Sequence, residues 1–127
     1  MSSHCIEITD ANFEAEVANT SLPVVIDFWA VSCKPCRAVA PHFESLAQEY
    51  AGRVRFGKCD VDVNQEIAAR HDVRGVPMFL ALRDGKVVAQ QLGAAPRVKL
   101  EDLAKKALAA PAAKDTRVPS VQSSPAA

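Results

Sequence analysis

A chain of 127 residues, 49% of them hydrophobic, is the size of one domain that can bury its own core. Fifteen basic and fifteen acidic side chains cancel, which leaves no electrostatic footprint for nucleic acid or an anionic membrane. Four cysteines are too sparse for a disulfide scaffold at this length.

Ile6 and Ile8 predict a short first strand. Asp10 is placed to cap a helix that buries Phe13 and Val17. Residues 23–30 are nearly continuously apolar, as a central strand covered on both faces would be. A helix follows over 33–50, with Val39, Phe43 and Leu46 at helical spacing. Pro41 deletes one of its backbone donors and predicts a kink. Gly52 ends that helix; 53–61 reads as a strand and 65–71 as a short helix. Strands at 77–83 and 86–92 are joined by Asp84-Gly85, a strong two-residue hairpin signal. Pro96 opens the last helix, where its missing N–H costs nothing, and Leu100, Leu103, Ala104, Ala107 and Leu108 form its apolar stripe. Past Ala110 the composition turns to Ala, Pro and Ser with little to bury. This predicts a domain over 1–110 and a disordered tail over 111–127. The order β-α-β-α-β-α-β-β-α predicts an α/β fold with parallel crossovers first, then an antiparallel hairpin and a closing helix.

Cys33-Lys34-Pro35-Cys36 follows the apolar strand and opens the long helix. Two thiols separated by two residues can close to a disulfide or open to a dithiol with little backbone movement. The first thiol faces unsatisfied backbone N–H groups and the positive end of the helix dipole, and both favour thiolate. In a strand-to-helix context the pair reads as redox-active. Asp27 interrupts an apolar strand, where a carboxylate is costly unless used or paired; burial raises its pKa and lets it accept a proton. Cys59 reads as a small buried hydrophobe, Cys5 as partly exposed. His4, His42 and His71 lack metal-ligand spacing, and a zinc site at the dithiol would need two further ligands.

Phe28-Trp29-Ala30 before the dithiol, Arg37 and Pro41 after it, Lys58, Asp60 and Asp62, Arg74-Gly75-Val76-Pro77, Asp84-Gly85-Lys86 and Gly93 together resemble the thioredoxin family over residues 5–109. The resemblance implies a thioredoxin fold, a central mixed sheet of about five strands flanked by about four helices. It implies a protein-disulfide reductase with Cys33 as nucleophile and Cys36 as resolving thiol. Asp27 would accept the proton of Cys36, and Lys58 would tune Asp27. Pro77 is expected to be cis, with the Val76 backbone left to pair with an extended client. Trp29, Lys34, Pro35, Val61, Gly75, Val76, Pro77, Gly93 and Ala94 would form the client-binding surface. The implied cofactor is the redox-active disulfide alone, with NADPH entering indirectly through thioredoxin reductase. The implied partners are that reductase and disulfide-containing client proteins, served by a monomer in electron transport and cell redox homeostasis.

The motif departs from the family's common Trp-Cys-Gly-Pro-Cys. Ser32 replaces the tryptophan and is placed to cap the helix, Lys34 replaces glycine, and Met78 stands where threonine follows the cis-proline. A cation beside Cys33 predicts a pair somewhat more oxidising than the Gly-Pro form; screening by water opposes that effect. With Arg37 and Arg74, it also suits acidic clients. Two alternatives follow: a specialised relative with a dedicated partner, and a holdase for which the dithiol is dispensable. Met1 to Asp10 shows no basic-then-apolar leader, and Pro23 and Asp27 break the longest apolar run, so a cytoplasmic protein is expected.

Overall fold

The most apolar stretch of the chain becomes the middle of the sheet. Strand β2 (Val24–Trp29) has five of its six residues buried. It pairs in parallel with β3 (Arg55–Asp60) and antiparallel with β4 (Met78–Arg83). The computed structural model, which describes residues 4–111, adds β1 (Cys5–Glu7) beside β3 and β5 (Lys86–Leu92) beside β4. The strand order is β1-β3-β2-β4-β5.

Alternation along the strands sorts side chains into two layers. Val25, Phe56, Phe79 and Ala81 face α1 (Lys34–Glu49) and α3 (Arg97–Ala109), whose residues Val39, Phe43, Leu46, Leu100 and Leu103 close that core. On the opposite face Ile26, Phe28, Cys59 and Leu80 pack with Phe13, Val17 and Ile67, the last from α2 (Gln65–Arg70). Tyr50, at the end of α1, donates to Glu101 of α3 at 2.7 Å, and Arg97 bonds both Glu49 and Glu101, so the two helices are tied at their polar edge. Asp84 and Gly85 both have positive φ, 54° and 81°, as the expected hairpin turn requires.

Four details differ from the sequence reading. The first strand ends at Glu7, and Ile8 follows it into the core, fully buried. The segment that buries Phe13 and Val17 is a five-residue π-helical turn, Glu14–Ala18, closed by Asn19 N–H on the Glu14 carbonyl at 2.9 Å. Asp10 does not cap it: Thr9 and Asn12 exchange side chain-to-backbone bonds of 2.7 and 3.1 Å there. Asp10 reaches across to α2 instead, accepting from Ile67 N–H at 2.8 Å and Glu66 N–H at 3.3 Å, while the Asn64 side chain accepts from Asp10 N–H at 3.0 Å. A six-residue helix has too few internal bonds to spare its first N–H groups, so an acceptor from outside is favoured. Leu108, assigned to the apolar stripe, is 38% exposed, at the margin of a stripe whose Leu100, Leu103, Ala104 and Ala107 are buried. Pro41 lies inside α1, whose 16 residues run unbroken from Lys34 to Glu49. The expected disordered tail falls, past Pro111, outside the described residues.

Replacing Asp10 with alanine removes both acceptors at the start of α2. The expected loss is about 1–2 kcal/mol of stability, read from the urea unfolding midpoint, with Asp10→Asn retaining part of it.

Candidate active site

Strand β2 ends at Trp29, and the chain turns through Ala30 to Ser32 into α1. The residue that caps the helix is Cys33, in extended conformation, and not Ser32 as the sequence suggested. Its sulfur accepts from the Cys36 N–H at 3.1 Å, so one orphan donor of the first turn points at the sulfur. Cys33 and Cys36 form a disulfide with Cα atoms 5.3 Å apart. Cys33 is partly exposed, whereas Cys36 opens the buried stripe of α1 and is 3% exposed. The loop is pinned by Cys33 N–H on the Ala30 carbonyl (3.0 Å) and by the Arg37 guanidinium on the Val31 carbonyl (2.7 Å). Lys34 and Pro35 are exposed on the first turn, where water screens the lysine's charge.

The sheet register gathers the other expected surface residues at this same end. Val61 follows β3 and donates to the Trp29 carbonyl at 2.9 Å. Phe28 of β2 pairs with Met78 of β4, which brings the preceding Gly75-Val76-Pro77 to the end of β2; the Val76–Pro77 bond is cis. Met78 pairs in turn with Leu92, so Gly93 and Ala94 arrive at the same edge, and Gly93 N–H bonds the Pro77 carbonyl at 2.8 Å. Pro77 is buried, Val76 half-buried, and Gly75 and Ala94 exposed.

Asp27 sits two residues deeper in β2, on the face that α1 covers, between Lys58 of β3 and Phe79 of β4. It is fully buried, and among the described residues neither carboxylate oxygen has a hydrogen-bond partner. Burial raises its pKa from 3.8 to about 7; the nearby Lys58 ammonium pulls the other way without undoing it. The Lys58 ammonium lies 5.4 Å over the Trp29 ring, so the cation behind the dithiol is held by an aromatic face rather than by a salt bridge to Asp27. A pocket of about 320 Å³ opens beside them, walled by Trp29, Lys58, Asp60, Glu44 and residues 5–7.

Cys5 and Cys59 take no part in the disulfide. Cys5 is half-buried in that pocket's wall. Cys59 is fully buried, and desolvation first, then the carboxylates of Asp10, Asp60 and Glu7, push its thiol up to about 12. Among the described residues no three His, Cys, Asp or Glu side chains gather as a metal site, and no helix is long and apolar enough to cross a membrane.

The thioredoxin family model matches residues 4–106. Thioredoxin C-2 of Corynebacterium nephridii is 48% identical over 100 residues, covering 79% of this chain and 93% of its own length. Thioredoxin of Haemophilus influenzae is 44% identical over 98 residues, covering 77% and 92%. The chain belongs to the thioredoxin family. Its Cys33–Cys36 disulfide makes it a thiol–disulfide oxidoreductase of the thioredoxin type, and the specialised or holdase alternatives are not favoured. The cysteine pair expected at the start of the long helix is joined there as the disulfide. Two contacts have weak or no local signal: the Arg37 clamp on Val31, marked only by a cation one turn into the helix, and the long-range cap of α2 by Asp10.

The Asp27 carboxyl makes the stability of this thioredoxin family member depend on pH. Between 3.8 and about 7 the unfolded chain has released the proton while the folded chain keeps it, so stability falls as pH rises through that window and is level above it. Asp27→Asn removes the ionisation. Its stability relative to wild type should therefore grow from about pH 4 to 7, by roughly 4 kcal/mol at most, measured by urea unfolding of the oxidised proteins.

Proposed function

We propose that this protein reduces client disulfides with Cys33 as the attacking sulfur and Cys36 as the resolving one. The observation that carries the assignment is the asymmetry of the pair: Cys33 is reachable at the helix cap, while Cys36 is 3% exposed one turn inside. Once reduced, Cys33 gains from the Cys36 N–H aimed at its sulfur and from the positive end of the α1 dipole, both of which favour thiolate. The thiolate attacks one sulfur of the client disulfide, a mixed disulfide forms, and the other client sulfur leaves as thiolate.

Resolution needs Cys36 to lose its proton inside the protein. Asp27, on the sheet face beneath the same helix and with an affinity for protons matched to neutral pH, is the group suited to take it, directly or through a water. The Cys36 thiolate then displaces the client from Cys33, two electrons have passed to the client, and the disulfide seen here is restored. Lys58 acts on this step through charge, by lowering the proton affinity of Asp27. The edge made by Trp29, Pro35, Val61, Gly75, Val76, Pro77, Gly93 and Ala94, with Lys34 at its border, receives the client, whose extended backbone lies along Val76.

The disulfide so formed must be reduced again. A thioredoxin reductase drawing on NADPH is the partner that family membership supports, with the protein acting as a monomeric cytoplasmic electron carrier.

Cys33→Ser is expected to lose insulin-disulfide reduction down to the uncatalysed rate, while Cys36→Ser accumulates a mixed disulfide visible by intact mass. Equal trapping by both single variants would overturn the assignment. Asp27→Asn should slow resolution about a hundredfold at pH 7, the low end of general-base contributions, in single-turnover assays.

A further inference from the structure

Reduction removes the covalent cross-link from the active-site turn, and the two thiols must then be held near each other by other means. Packing contributes little: Val31 is 65% exposed, and Ser32, Lys34 and Pro35 are exposed as well. The backbone holds the turn weakly. Cys33 N–H on the Ala30 carbonyl stays on one side of the pair, and the bond that opens α1, Arg37 N–H to the Cys33 carbonyl, is long at 3.4 Å. The side chain of Arg37 supplies what its N–H does not. Its Nη1 donates to the Val31 carbonyl at 2.7 Å, a charge-assisted bond from the residue after Cys36 to the residue two before Cys33. The loop so closed contains both cysteines and uses neither sulfur.

We propose that Arg37 is a positioning residue for resolution: through Val31 it holds the turn closed while the disulfide is open, so that Cys36 stays within reach of Cys33 when a client is attached. The inference rests on the reading of Cys33 as the attacking and Cys36 as the resolving sulfur. In the step concerned the Cys36 thiolate attacks Cys33 Sγ, and the Cys33–Cys36 bond forms as the bond from Cys33 to the client sulfur breaks. The client sulfur leaves with the electron pair and takes a proton from water; the two cysteines are oxidised and the client is reduced. Arg37 touches none of the reacting atoms. It acts on proximity: a turn already closed loses less freedom when the sulfurs join, which favours both the rate of closure and the disulfide that results. The charge of the same guanidinium acts in the opposite sense. A cation favours thiolate and with it the reduced form, although water screens it at this exposed position. Losing the clamp therefore makes the pair more oxidising, whereas losing the charge alone makes it more reducing.

The test equilibrates the full chain, as wild type, Arg37→Ala and Arg37→Lys, with dithiothreitol redox buffers at pH 7 and reads the oxidised fraction by alkylation and intact mass. Position 37 is exposed and alanine is a strong helix former, so folding of the variant is not at risk. Arg37→Ala should lower the equilibrium constant for disulfide closure about tenfold, within the range that a small misplacement of reacting groups brings. That tenfold change makes the potential less negative by about 30 mV. Stopped-flow reaction of the reduced protein with equimolar dithiobis(nitrobenzoate) separates two thiol releases, and the second, the attack of Cys36, should slow by a similar factor. Arg37→Lys keeps a charged donor on a stem of similar length and should recover most of both effects. An unchanged or more negative potential in Arg37→Ala, or an Arg37→Lys as impaired as Arg37→Ala, would overturn the clamp. Iodoacetamide labelling of reduced wild type, mapped by peptide mass, checks the underlying assignment by itself. Labelling of Cys33 supports that assignment whatever Arg37 does; labelling of Cys36 first would overturn both.

Discussion

The sulfur of Cys33 occupies the place where a hydroxyl or carboxylate oxygen ordinarily caps a helix. Because α1 begins at the end of the central strand, that one substitution of sulfur for oxygen puts a reactive atom at the tip of the most buried element of the fold. The backbone donor that a cap must satisfy, the Cys36 N–H, is the same group that makes the sulfur a better anion. Structure and chemistry are thus met by a single hydrogen bond. The neighbouring contacts from Ala30 and Arg37 keep the loop in place independently of the sulfur–sulfur bond.

The sheet supplies the second half of the design. Parallel pairing of β2 with β3 sets Lys58 beside Asp27, and antiparallel pairing with β4 sets Phe79 on the other side. The carboxylate therefore has an aromatic neighbour and a cation neighbour but, among the described residues, no hydrogen-bond donor. A single donor at hydrogen-bond distance would favour the charged form and draw the proton affinity back towards that of an exposed acid. Burial keeps it near neutrality, at a cost in stability that the two apolar cores on either side of the sheet absorb.

Much of this was legible in the sequence because the decisive signals were local. The apolar run at residues 24–29 marked a central strand, Asp84-Gly85 marked the hairpin, and the position of the cysteine pair at a strand–helix junction marked the reactive end. What failed was nonlocal or degenerate. Asp10 has the right chemistry for a helix cap next to it, and nothing nearby in the chain reveals that it caps a helix 56 residues away. Spacing of Phe13 and Val17 fits an α-helix and a π-helical turn alike. Leu108 continues a periodic stripe, but periodicity does not say which residue at the stripe's margin is covered. Ser32 has the side chain of a common cap, and only backbone geometry shows that Cys33 takes that position.

Cys59 lies on the face of the sheet opposite α1 and Cys36, walled in by Phe28, Ile67 and their neighbours. A thiol held protonated up to about pH 12 and shut away from solvent neither attacks a disulfide nor offers itself to one. The five-stranded sheet thus behaves as an insulator between two sulfur compartments. A molecule that spends its life exchanging bonds with other proteins thereby keeps Cys59 out of a wrong bridge, even when oxidants are plentiful.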